Sequence, residues 1–271
     1  MTAGRPAAPV VLAARELVRG RSPLTTCVAT AVVLLPNLQG VAETANALYR
    51  DEGDILNSLL TSPLVLVFPL LVALVGSRPL ANDVARRALV NERCRQSFAA
   101  LVSAKIVAAA LSSATVFFLV GLVATVIAGV VWPLLGDPAI DPTGYHPLEP
   151  LEERFTFADL SGGNVLVFGL MMAFWLGFAA AVYSVLTSAS LILVPNRAIA
   201  LLLPFGAYLG MSVLLSILDR PAVTPMFSVY PSGLQQSSWV IASTPTLLAA
   251  LLAAALWLFI VRRPSESRHL L

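Results

Sequence analysis

Residues 78–105 read RPLANDVARRALVNERCRQSFAALVSAK, and the layout of the whole chain follows from this stretch. It carries Arg78, Arg86, Arg87, Arg93, Arg95 and Lys105 against only Asp83 and Glu92. The apolar run 56–77 precedes it and the apolar run 106–132 follows it. Each run is long enough to cross a bilayer as a helix, which takes about 20 residues. A charged, helix-forming insert between two such spans cannot lie in hydrocarbon, so residues 78–105 are expected in water on one side. At helical period Ala81, Val84, Ala85, Ala88 and Leu89 share one face, while Asn82, Asp83, Arg86, Arg87 and Arg93 take the others. An amphipathic helix of this kind can dock on a partner, or it can be a solvated loop that only fixes topology.

Composition sets the class. The chain has 271 residues, 58% hydrophobic and 12% charged. Soluble domains carry about 25% charged residues, so an all-α, polytopic membrane protein is expected. Working outward from the insert toward the N-terminus, the run 56–77 holds Pro63 and Pro69, which are expected to kink it. The acidic stretch 39–54 comes before that, then a short first span over 23–38 that is interrupted by Pro36. Residues 10–21 place Val10, Val11, Ala14, Leu17 and Val18 on one face and Arg15, Glu16, Arg19 and Arg21 on the other. Such a segment lies in the membrane interface as an elbow helix. Residues 1–20 lack an apolar core followed by a cleavage site, so no signal peptide is expected there.

Toward the C-terminus the third span, 106–132, leads into a Pro-rich acidic loop over 133–163. A fourth span opens near Asn164 and ends between Leu186 and Val194. The short link with Pro195, Asn196 and Arg197 joins it to a fifth span over 198–218. Residues 219–238 break short apolar pieces with Pro225, Pro231 and Gly233, as a re-entrant or interfacial hairpin would. That backbone is tolerable near a membrane only when packed on protein. The sixth span covers 240–261.

Six spans place both termini, the insert and the Asn196 link on one side. That side receives fourteen of the seventeen Lys and Arg residues and four acids, while the other receives three and eleven. The asymmetry selects an orientation, because Lys and Arg near span ends stay inside. Both termini and the insert are therefore expected in the cytoplasm of a cell-membrane protein, with 133–163 and 219–238 outside.

Signs of catalysis are absent from the sequence. His146 and His269 have no Cys, Asp or Glu at ligand spacing, and Cys27 and Cys94 stand at different expected depths. No GxxxxGK[ST] phosphate loop occurs. An enzyme, a metal site and a cofactor are therefore not expected, and nothing points to nucleic acid. No charge stands in the middle of a span, whereas ion-coupled carriers place carboxylates or histidines there. The spans hold hydroxyls instead: Tyr183, Ser184, Thr187, Ser188 and Ser190 in the fourth, and Tyr208 and Ser212 in the fifth. Helix packing and the lining of a translocation path both use such groups.

The layout resembles the permease subunits of ABC-2 type exporters across nearly the whole chain: elbow, six spans, helical insert after the second, short turn after the fourth, and broken hairpin before the sixth. The most specific local segment is 76–105. Gly76 and Ser77 form a small-residue exit, Asp83 to Glu92 a charged helix, Arg93 to Gln96 a basic turn, and Lys105 the opening of the third span. Where that family shows an acidic-Gly-Thr-Leu run, this chain has Arg86, Arg87, Ala88 and Leu89. The resemblance implies pairing with a second permease subunit, as a homodimer or heterodimer, and binding of two separate ABC ATPase subunits that hold the ATP. It implies a coupling helix whose Val84, Arg86, Arg87, Ala88, Leu89, Glu92 and Arg93 meet the ATPase, with Asn196 and Arg197 as a second contact. A non-transporting membrane anchor or assembly subunit fits the same topology, and an autonomous secondary transporter is the third reading. No residue selects among lipid, peptide, antibiotic or polysaccharide substrates.

Overall fold

Proline and capping residues decide where helices begin in so apolar a chain. The computed structural model describes residues 31, 35, 49–61, 65–85, 97–136, 140–141, 149–231, 236 and 238–262. Helix α1 (Glu52–Leu60) starts on Asp51, whose carboxylate accepts from the backbone N–H groups of Gly53 and Asp54. It stops at Thr61, which is extended, two residues ahead of Pro63. Helix α2 (Phe68–Val72) takes Pro69 into its first turn, where the missing N–H costs nothing. A π-helical turn (Ala73–Ser77) then runs directly into α3 (Arg78–Ala85). Where one kinked span over 56–77 was expected, the described residues form two helical pieces, α1 ending at Leu60 and α2 with the π-turn and α3 from Phe68 on.

Helix α4 (Phe98–Val126) is capped by the Ser97 hydroxyl, and it continues through a second π-helical turn (Ile127–Val131) into α5 (Trp132–Leu134). The third span therefore begins eight residues earlier than the expected Ile106. Phe98, Leu101 and Val102 are buried, which draws the last third of the basic insert into the helix. Two short pieces follow, α6 (Leu151–Arg154) and a 3-10 turn (Ala158–Ser161). Asn164 caps α7 (Val165–Leu193) and Asn196 caps α8 (Arg197–Ile217). A 3-10 turn (Pro221–Val223) and α9 (Pro225–Val229) precede the last helix, α10 (Trp239–Arg262).

Among the described residues four helical stretches are long and apolar enough to cross a membrane: Phe98–Leu134, Val165–Leu193, Arg197–Ile217 and Trp239–Arg262. The last three match the expected spans to within a few residues. The expected first span and the elbow over 10–21 lie outside the described residues, apart from Ala31 and Leu35. Among the described residues sheet pairing amounts to one bridge, between Tyr49 and Ile140. The chain is a multi-pass helical membrane protein.

Helix α7 is the hub, packed along its length against α4 and also touching α8 and α10. Lipid is as apolar as leucine, so burial alone drives this association weakly, and close van der Waals fit has to supply the rest. Gly121 of α4 provides it. A Cβ there would fall 2.6 Å from the Ala173 Cα of α7, so only glycine allows this approach. The outward faces of α8 and α10 stay apolar and exposed, with Leu202, Leu203, Leu248 and Leu251 among the side chains turned outward. In a bilayer that surface meets lipid.

Candidate functional site

At one end of the bundle the apolar residues of five helices converge. Leu80 of α3 is buried among Phe98, Leu101, Val102 and Ile106 of α4, Ile192 of α7, Ala200 of α8 and Ile260 of α10. Ala81 and Val84 are half-buried against the same cluster. Their face, marked by helical period as a docking surface, therefore lies on the chain itself, and Asn82 and Ala85 are exposed. Across the cluster Lys105 Nζ donates to Asp83 Oδ2 at 2.7 Å, with the lysine side chain only 5% exposed. Lys105 thus sits two turns inside α4, not at its opening, and the pair clamps together the two ends of the excursion 86–96. The Val194–Arg197 turn closes the same end. Asn196 Oδ1 accepts from Ala198 N (3.0 Å) and Ile199 N (3.4 Å), leaving Asn196 and Arg197 exposed.

Of the residues assigned to ATPase contact, Val84 is half-buried at this end, and Asn196 and Arg197 are exposed there. Arg86, Arg87, Ala88, Leu89, Glu92 and Arg93 lie outside the described residues.

Deeper in the bundle, hydroxyls gather where the second apolar run is broken. Tyr208 Oη of α8 donates to the Val65 carbonyl at 2.8 Å, ahead of α2. Ser113 Oγ of α4 donates to the Val72 carbonyl (3.4 Å) at the entry to the π-turn. Ser77 Oγ donates to the Ser184 carbonyl of α7 (3.5 Å) and lies 3.2 Å from Ser188 Oγ. Irregular backbone inside a membrane needs such partners. Gly76 completes the fit, since a Cβ on it would meet Ser113 Oγ at 2.1 Å and Ser184 Oγ at 2.6 Å. Ser184 Oγ is buried and, among the described residues, has no hydrogen-bond partner. Around the first turn of α2, the Phe68 ring meets Phe117, Tyr183 and Tyr230 edge-on at 4.9–5.8 Å. Thr187 and Ser190 donate to carbonyls one turn back in α7, Tyr183 and Leu186, so these two serve their own helix.

The other end is acidic and tied by arginine. The Arg154 guanidinium, 7% exposed, pairs with Asp51 and with Asp54 (2.6 Å to Oδ1), and Arg50 pairs with Glu149 at 3.1 Å. These pairs fasten the loop 149–163 to the start of α1. The hairpin 219–238 is packed on protein over its described part: Thr224, Ser228, Val229 and Tyr230 are buried, Ser228 Oγ lies 2.7 Å from Thr246 Oγ1, and Gln236 N donates to Thr156 Oγ1 at 3.1 Å. Among the described residues no group of His, Cys, Asp and Glu could hold a metal ion.

The Lys105–Asp83 clamp, the π-turn and the Arg154 node were not foreseen from the residues. Only the last left a trace in the sequence, as a lone arginine among acids. Fold and site together define a polytopic helical membrane protein with a basic and an acidic end. No protein-family profile, curated protein or solved structure matches the chain.

Proposed function

We propose that this chain is the membrane-spanning permease subunit of an ABC-type exporter, moving substrate across the cell membrane with ATP hydrolysed by a separate nucleotide-binding subunit. One observation carries the reading. The helix leading into the basic insert and the Asn196–Arg197 turn, more than a hundred residues apart in sequence, share one apolar cluster at one end of the bundle. A soluble subunit seated there touches both, and α3 continues through the π-turn into the buried hydroxyl seam. Movement imposed on 86–96 is passed by the Asp83–Lys105 clamp to α4 and by Leu80 to α7 and α8. Nucleotide binding then biases two packings of the bundle through differential contacts. In this reading the basic end is cytoplasmic.

The test is reconstitution with an ABC ATPase subunit co-expressed with the intact chain. The two are expected to co-purify, with ATP hydrolysis absent from the chain alone. Leu89→Asp is expected to abolish the complex while the chain still folds in the membrane. At helical period Leu89 follows the exposed Asn82 and Ala85 and not the self-packed Ala81 and Val84, so the unpaired charge meets the partner. Arg86→Ala and Arg87→Ala, as rim charges, are expected to weaken it by about 1 kcal/mol or less each. Turnover by the chain alone, or full coupling in Leu89→Asp, sinks the proposal.

A further inference from the structure

Near the acidic end, the outward face of α7 carries a groove of about 510 Å³ lined by Phe157, Leu160, Met171, Phe174, Trp175, Phe178 and Leu247. Every lining side chain is apolar or aromatic, and the groove is held in shape. Trp175 Nε1 donates to the Ser228 carbonyl at 2.7 Å, which fixes the indole. The Phe157 ring lies 5.6 Å from it. Phe157 reaches that place with φ +74°, a left-handed backbone that a bulky side chain rarely adopts. Strain of this kind persists where surrounding structure holds it, often at ligand clamps.

Length and charge say what the groove takes. The α7 side chains that line it, from Met171 to Phe178, span about 10 Å of helix at roughly 1.5 Å per residue. One leaflet of hydrocarbon is about 15 Å deep, so the groove fits within a single leaflet. Its mouth is the 3-10 turn Ala158–Ser161, where Asp159 is exposed between the two lining residues Phe157 and Leu160. Glu152 stands beside the same turn, its Oε1 lying 2.7 Å from where a Cβ on Gly163 would sit. The nearby positive charge of Arg154 is taken up by Asp51 and Asp54. An apolar slot that fits within one leaflet, with carboxylates at its mouth, suits an acyl chain whose head carries an ammonium group.

We propose that this groove binds one acyl chain of an amine-headed bilayer lipid, with Asp159 and Glu152 facing the ammonium. The proposal stands whether or not the chain couples to an ATPase. The full-length protein with Trp132, Trp239 and Trp257 replaced by Phe is placed in phosphatidylcholine vesicles. These are doped with phosphatidylethanolamine or phosphatidylglycerol whose acyl chains are brominated. Trp175 fluorescence is expected to be quenched by the phosphatidylethanolamine at about two- to five-fold lower mole fraction, the worth of an exposed ion pair. Leu247→Phe, which fills the slot, is expected to abolish the selective part. Asp159→Asn with Glu152→Gln is expected to equalise the two lipids. If the triple replacement does not fold, the difference between the intact protein and Trp175→Phe gives the same reading. Equal quenching by both lipids, or quenching unchanged in Leu247→Phe, means non-selective contact with the bilayer and overturns the proposal. A preference that survives the acid replacements overturns the headgroup assignment.

Discussion

Ser184 and Tyr208 show how differently two buried hydroxyls can act in one bundle. Tyr208 Oη satisfies the carbonyl of Val65, which would otherwise be an orphan beside a helix break. Ser184 Oγ, fully buried, meets no hydrogen-bond partner among the described residues. Removing one partner of a buried bond costs about 1–3 kcal/mol, whereas removing an unpaired polar atom costs nothing or stabilises. Tyr208→Phe is therefore expected to lower stability by about 1–3 kcal/mol, and Ser184→Ala to leave it unchanged or raise it. Thermal unfolding in one detergent checks both, and a Ser184→Ala loss as large as that of Tyr208→Phe would mean that the serine has a partner in the membrane. Both residues are visible in the sequence as hydroxyls in apolar spans. Their opposite roles are not, because the role depends on a carbonyl 143 residues away for Tyr208.

At the scale of elements, α3 is held by a pair that joins it to α4. Asp83→Asn removes the carboxylate that Lys105 meets while leaving a nearly buried ammonium in place. Adding Lys105→Met is expected to recover much of the loss, with a coupling of about 0.5–3 kcal/mol in a double-mutant cycle. Additive effects would mean that the clamp does not act as a unit. The last three spans were legible because Asn164 and Asn196 cap α7 and α8 in plain view and all three interiors are apolar all round. The second apolar run was read as one span kinked at its prolines, whereas α1 already ends at Leu60 and helix resumes at Phe68 with Pro69 in its first turn. A π-turn has no residue signature at all, and the early start of α4 reflects an apolar cluster assembled from five separate helices. The basic insert was legible as charged and amphipathic. Which side of it meets the chain itself was not.

For the whole molecule, the separation of charge sets the prediction. Among the described residues Arg78, Lys105, Arg197 and Arg262 belong to helix ends at the Leu80 cluster or next to it, and the Arg154 node lies at the opposite end with the acids. Single cysteines at Glu149 and Arg262, in a background without Cys27 and Cys94, are expected to label from outside and from inside the cell respectively. Labelling of both from one side would sink the orientation. The node also sets a timetable. Asp54 leaves the ribosome 100 residues before Arg154, and Val65 leaves it 143 residues before Tyr208. Synthesis adds about 5–20 residues per second, so the carboxylate waits about 5–20 s for its arginine and the carbonyl about 7–29 s for its tyrosine. Within that interval α1 can pack on α4 as soon as that helix is made, but the Asp54 carboxylate and the Val65 carbonyl still wait for the groups that complete them.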